Sequence, residues 1–298
     1  MSTALSPRSV AVEAGISAGR RRWQALRRHP LFWTGSGLLI LLALFCFVGP
    51  LIYPANPLAT HINYTLSPPG ARFPLGADVL GRNELARLMV GGQGFMLVGF
   101  ASALFASLVG IVIGLVAGFT GGFTDRAFMW LTDTVLGIPQ LVPLFLVVVL
   151  FRPSNATMIL VLGLTGWPLV ARLVRAETLS AREREYVESA KSGGATRSRI
   201  LSRHLLPNVM GTVVVAASGQ VSITLLVLAT ASYLGYGLPP PFPNWAGMVA
   251  DSQQYLYDNT WWLLWLPGAA FVLLQLSVNF LADALRQAFD PKNRRGLA

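Results

Sequence analysis

Apolar residues in this chain come in long unbroken runs, not in the three-and-four spacing of water-facing helices or the alternation of half-buried strands. Six stretches are long enough to cross a bilayer: 31–52, 95–117, 128–151, 157–174, 209–234 and 261–281. A crossing takes roughly 20 apolar residues, because in lipid each backbone N–H and C=O must find its partner within the segment. The pattern predicts an all-α, polytopic membrane protein with six transmembrane helices. Pro139 and Pro143 in the third run and Pro168 in the fourth predict kinks. The chain divides accordingly into an N-terminal tail (1–30), a first transmembrane helix (31–52), a loop and interfacial segment (53–94), a five-helix core (95–284) and a C-terminal tail (285–298).

Composition agrees with this division: 53% of the 298 residues are hydrophobic and 12% charged, too few charges to cover a water-facing surface. The net charge of +10 would suit a nucleic-acid binder, but apolar runs separate the basic clusters, and no nucleic-acid partner is expected. Basic loops beside anionic lipid account for the charge instead. Six crossings put both termini on one side. With the termini cytoplasmic, all but four (Arg72, Arg82, Arg87 and Arg152) of the 23 Lys and Arg fall inside, so the positive-inside rule sets the orientation. The Arg20–Arg21–Arg22 cluster ahead of the first run imitates a secretion signal. That run is too long and lacks a small-residue cleavage site, so it reads as an uncleaved helix. The Ser- and Ala-rich residues before Arg20 read as a disordered tail. Cys46, the sole cysteine, sits in an apolar run as a small buried hydrophobe, which rules out a disulfide framework. His29, His61 and His204 are too scattered for a metal site.

The loop between the fourth and fifth runs, 172–207, holds the most local structure. Ser180 with Glu183 has the spacing of a capping box and predicts a helix start; Gly193–Gly194 predicts its end. Thr196 is placed to cap a second helix over 197–206, and Pro207 to open the fifth span. Two short helices meeting at a glycine corner make a shape that can press into a groove of a partner protein.

Within this loop, Glu188-Ser189-Ala190, three residues, Gly194, nine residues, and then His204-Leu205-Leu206-Pro207 resembles the EAA motif of ATP-binding-cassette (ABC) importer membrane subunits. Ser189 replaces the usual Ala, small for small. His204 stands where many importers carry Ile, and with Leu205-Leu206-Pro207-Asn208 it resembles the dipeptide and oligopeptide permease branch. The segment from Phe73 to Asn83 is similar to that branch's Leu-Gly-Thr-Asp-x-Leu-Gly-Arg-Asp stretch. Similar agreement runs through 118–125, 183–188, 243–245 and 279–283, pointing to the second of the branch's two permease subunits. The resemblance implies a type I importer fold and a coupling loop over 175–207. Glu188, Ser189, Ala190, Gly194, Ala195, His204, Leu206 and Pro207 would meet the ATPase. It also implies a heterodimer with a related permease, two cytoplasmic ATPases that use ATP and Mg, an extracytoplasmic binding protein, and a bacterial inner-membrane location. The chain's own residues agree on one point: neither Lys191 nor Lys292 follows the glycine pattern of a P-loop, so ATP must be handled elsewhere and the chain is no enzyme.

On the opposite side, Pro239-Pro240-Pro241-Phe242-Pro243-Asn244-Trp245 is stiff and free of Lys and Arg. It suits either a contact for the binding protein, made by Pro241, Pro243, Asn244 and Trp245, or a rigid hairpin that closes the loop. Trp261, Trp262 and Trp265 read as an interfacial belt. The glycines of 118–122 read as a tight turn, since no strand precedes them as a phosphate loop would require. Asp133 and Asp283 are expected at the inner boundary, where pairing with Arg is cheap. An ion-coupled secondary transporter would need ionisable groups near the midplane, and no run has an acidic residue in its middle third; an intramembrane enzyme would need a nucleophile, acid pair or metal set, and no run holds a His/Asp or Glu/His cluster. Cargo stays open at this level: dipeptides, longer peptides, glutathione and nickel or other metal chelates all fit.

Overall fold

Five of the six apolar runs each become a single helix in the computed structural model, which describes residues 26–151, 154–238 and 241–289. In chain order the principal helices are α1 Pro30–Ile52, α2 Glu84–Thr120, α3 Gly122–Gly137, α4 Leu141–Leu150, α5 Asn155–Arg182, α6 Glu185–Ser192, α7 Arg197–Tyr233, α8 Trp245–Ser252 and α9 Trp261–Phe289. Five of them, α1, α2, α5, α7 and α9, are long and apolar enough to span a membrane, and α3 with α4 makes a sixth candidate bent by 77°. The expected third crossing is therefore a broken one. Its break begins at Ile138, which is extended because it precedes Pro139, and a proline pushes the residue before it out of the helical region. The expected tail before Arg20, Arg152, Pro239, Pro240 and the residues after 289 lie outside the described residues.

Several helices outrun their apolar cores. The head of α2 lies well before Phe95, because Asn83 caps it by accepting from the Ala86 N–H at 3.2 Å. The last helix continues through Phe289, past the expected tail boundary at 285. The turn at 118–122 is confirmed as a tight one: Gly121 at φ +64° joins α2 directly to α3. Serine caps α5, with Ser154 accepting from Thr157 N–H at 3.1 Å.

The most extensive contact joins α2 to α5. Gly110, Gly114 and Gly118 recur every fourth residue and form a flat stripe on α2, against which the backbone of α5 lies directly. A Cβ on Gly114 would stand 2.6 Å from the Ala171 carbonyl oxygen, and one on Gly118 2.8 Å from Thr178 Cβ. In a bilayer, where no hydrophobic force drives helices together, such close approach supplies the van der Waals contact that does. Helix α7 packs on both members of the pair, and α9 on α7 and α1. One apolar cluster centred on Phe95, Leu144, Leu162, Leu225 and Leu274 fills the end near α8. A second, around Val174, Val187, Ile200 and Leu205, fills the end near α6.

Two π turns interrupt these helices, Leu44–Val48 in α1 and Leu201–Leu205 in α7, and each lies just ahead of a proline, Pro50 and Pro207. A proline has no N–H for the carbonyl four residues back and its ring crowds that carbonyl; a widened turn relieves both. The orphaned carbonyl of Cys46 is taken by Gln93 Nε2 at 2.6 Å, which ties α1 to α2. Cys46 itself is wholly buried, as its surroundings in the sequence suggest.

Candidate functional site

A corner of two helices protrudes where α5 leaves the bundle. The first of them, α6, starts at Glu185 behind Arg184, not at Ser180. The expected Ser180–Glu183 capping box does not form, because α5 runs on to Arg182. Buried Thr178 and Ala181 hold it to its neighbours, and Arg182 Nη1 donates to the Gly118 carbonyl at 3.0 Å. The helix end is as expected. Gly194 takes φ +73°, its N–H donating to the Lys191 carbonyl at 3.0 Å and that of Ala195 to the Ala190 carbonyl at 3.1 Å. This paired closure needs a left-handed residue, which glycine adopts without the clash a Cβ brings. Thr196 then caps α7, accepting from Arg199 N–H at 3.4 Å.

Pro207 does not open a new helix. It follows the π turn inside the continuous α7, so the corner and the membrane-spanning segment are one piece. Underneath, Val187 and Leu205 are fully buried with Val174 and Val209, while Ala190, Ala195 and Leu206 pack at the edge of that cluster. Glu188, Ser189, Lys191, Ser192, Gly193 and Gly194 face solvent. His204 is half-buried in the π turn, where its carbonyl accepts from Asn208 Nδ2 at 2.6 Å. The motif residues thus separate into an exposed tip, a buried seat and a stiff stem. Beside the seat, burial pushes the Tyr186 phenol above its usual range against the opposing pull of Arg184; its hydroxyl has no hydrogen-bond partner among the described residues.

The opposite end is closed by a structure the hydropathy pattern does not disclose. Asp78 Oδ1 accepts from the backbone N–H of Leu80 (2.9 Å) and Arg82 (2.8 Å), and its Oδ2 accepts from Arg82 Nε (2.6 Å) with Arg87 Nε at 3.3 Å. Glu84 and Arg87 are buried in the same cluster, which lines a small cavity with Asp251 of α8. Asn83, where the resembling motif has Asp, caps α2 with its oxygen and donates Nδ2 to the Tyr53 hydroxyl at 2.8 Å, a bond a carboxylate could not donate. The signal in the sequence is Glu84 and Arg87, three residues apart at the head of an apolar run. We expect Asp78→Asn to cost about 1–3 kcal/mol by leaving buried guanidinium donors underpaired. An earlier thermal unfolding transition in detergent measures it, and an unchanged transition would show the cluster to be solvated.

The proline-rich segment is sorted by burial. Pro243, Asn244 and Trp245 are buried, as suits the closing hairpin of the two expected readings. Asn244 caps α8, accepting from Gly247 N–H at 2.7 Å. Trp245 inserts between α8 and α2, donating Nε1–H to the Leu88 carbonyl at 2.7 Å and stacking on Phe95. Pro241 and Phe242 stay exposed. Trp262 is likewise buried, donating to the Ala77 carbonyl, so only Trp261 and Trp265 of the expected belt face outward. Asp133 of α3 pairs with Arg172 of α5 at 2.5 Å, the pairing with Arg expected of it.

An all-helical bundle with one exposed corner stiffly mounted on two spanning helices is the form of a transporter's membrane subunit. Residues 110–295 match the family described as the binding-protein-dependent transport system inner membrane component, and residues 17–69 that of the N-terminal TM domain of oligopeptide transport permease C. The chain is 33% identical over 280 residues to the dipeptide transport system permease protein DppC of Bacillus subtilis, covering 94% of this chain and 88% of that one. It is 33% identical over 277 residues to the di/tripeptide transport system permease protein DppC of Pseudomonas aeruginosa, covering 91% of each. Among solved structures, the inward-facing MetNI methionine ABC transporter superposes with a TM-score of 0.56 at 19% identity, over 68% of this chain and 96% of that one, which shows the shared fold. The chain belongs to the binding-protein-dependent ABC permease family, in its peptide-transport branch. It is a multi-pass inner-membrane subunit that conducts solute and is not itself a catalyst.

Proposed function

We propose that this subunit forms half of a channel for dipeptides and oligopeptides, and that the tip at 188–194 is the face on which a cytoplasmic ATPase presses. The observation that carries this reading is the mounting of the tip: it is exposed, closed by a rigid glycine turn, and continuous through α7 with the membrane. A push there has no flexible loop in which to dissipate. The second half of the channel is a related permease. Two ATPases supply ATP and Mg chemistry, and an extracytoplasmic protein delivers the solute. Both termini lie in the cytoplasm, as the distribution of Lys and Arg favours. The names of the relatives, which transport dipeptides, di/tripeptides and oligopeptides, support peptides as the cargo. On the far side, exposed Pro241 and Phe242 are what remains of the proline-rich segment for meeting the binding protein.

Driving a two-state channel from about 1:99 to 99:1 takes roughly 5.5 kcal/mol of differential interaction, so the pressed contact must not yield. Gly194 has open space around it, and a larger residue there meets no neighbour; the penalty is its left-handed backbone, about 1–2 kcal/mol for a side chain with a Cβ. In the reconstituted transporter, Gly194→Val and Glu188→Ala are expected to cut peptide uptake several-fold while membrane insertion stays normal. Gly194→Asn should retain more, because Asn tolerates this conformation. Normal uptake with intact ATP coupling in both of the first two variants would refute the assignment.

A further inference from the structure

Three polar side chains approach one another near the middle of the spanning helices, where the broken span turns. Gln140, at the head of α4, donates Nε2–H to Thr165 Oγ1 of α5 at 3.2 Å. Gln220 of α7 is buried and donates to Thr224 at 3.1 Å. A Cβ on Gly166 would stand 2.6 Å from Gln220 Nε2 and 3.5 Å from Gln140 Nε2, so both amides approach one bare point on α5. At 1.5 Å per residue, Gln220 lies about 20 Å from both Pro207 and Tyr233. The broken backbone at 136–139 is exposed on the subunit, and non-helical backbone at this depth is tolerated only where protein covers it or water reaches it. The Asp133–Arg172 pair is also exposed, at 61% and 51% of the two side chains, and Arg172 lies two turns from Thr165 on the same face of α5. An ion pair left open beside an apolar core needs water in the same way.

We propose that Gln140 and Thr165, backed by the buried amide of Gln220, form a seat on the wall of the solute passage that hydrogen-bonds the peptide units of a crossing solute. A carboxamide both donates and accepts, as a peptide unit does, so it recognises any peptide whatever its side chains. The seat carries no fixed charge that would hold one cargo too long. This inference rests on the peptide reading above, and the test separates the two. In the complete transporter in proteoliposomes, Gln140→Cys is expected to react with a charged, lipid-insoluble thiol reagent, to be protected by a tripeptide delivered by the binding protein, and to leave buried Cys46 unreactive. Gln140→Met and Gln220→Met, which keep the length and lose the amide, are each expected to lower tripeptide uptake, and the double variant by about tenfold. A cysteine at 140 that never reacts, with or without ATP, would place the break against protein and overturn the wall. A reactive but unprotected cysteine, with full uptake by the double Met variant, would overturn the seat. A transporter whose ATPase no peptide stimulates would overturn the peptide reading, and the seat with it, whatever the labelling.

Discussion

Gly114→Val is expected to abolish the folded subunit. The β-branched side chain would drive two atoms beyond a Cβ that already stands 2.6 Å from the Ala171 carbonyl and 2.8 Å from Val174 Cβ, both on a helix pinned by its own neighbours. Overpacking typically costs about 1–3 kcal/mol where side chains can shift. Here the obstacle is backbone, so α2 and α5 must part along the whole stripe from Gly110 to Gly118. With lipid tails as apolar as the side chains, nothing holds the separated helices together. Detergent extracts of the variant should show no monodisperse subunit and rapid proteolysis, and Gly114→Ala a partial form of the same defect. Wild-type yield of Gly114→Val would mean that the two helices are not in contact here.

Trp245→Ala is expected to destabilise the protein by about 3–5 kcal/mol, the usual loss for a buried aromatic. The indole fills the joint between α8 and α2, stacks on Phe95 and donates to the Leu88 carbonyl, so its removal leaves a cavity and loses the hydrogen bond that ties the two helices. Trp245→Phe keeps the stacking and should lose about 1 kcal/mol. The comparison that matters is with Phe242→Ser: exposed Phe242 should leave the unfolding transition in place. Capture of the binding protein, measured on folded material, is expected to depend on Phe242 and to follow the folded fraction alone for Trp245. Equal stability of wild type and Trp245→Ala would contradict the burial.

The crossings were legible in the sequence because lipid imposes one requirement, a long apolar segment, that hydropathy registers directly. Their ends were less so. The head of α2 carries Glu84 and Arg87, which look like loop residues, and only Asp78, Arg82 and the fold around them turn those charges into an interior. Local signals also misled where tertiary contact outweighed them. Ser180 and Glu183 have the spacing of a cap, yet α5 passes through Ser180 because Thr178 and Ala181 remain packed. Pro207 marks a helix start in isolation, and a π turn converts it into an interior position. The corner itself was readable, since Gly194 and Thr196 act through their own backbone neighbours. Burial of Asn244 and Trp245 was not, because Trp245 lies under its partner Leu88, 157 residues earlier in the chain.

The glycine stripe has a mechanical corollary. With α2 and α5 meshed backbone to backbone over about two turns, and only two residues between α5 and α6, a thrust delivered at the corner would not shear the pair. The two helices travel together as a single shaft. Relative displacement would then fall on the breaks outside that pair, the 77° elbow between α3 and α4 and the widened turn ahead of Pro50. Under the proposed coupling, rigidity in one half of the bundle would concentrate the movement in the other, around the elbow that carries Gln140.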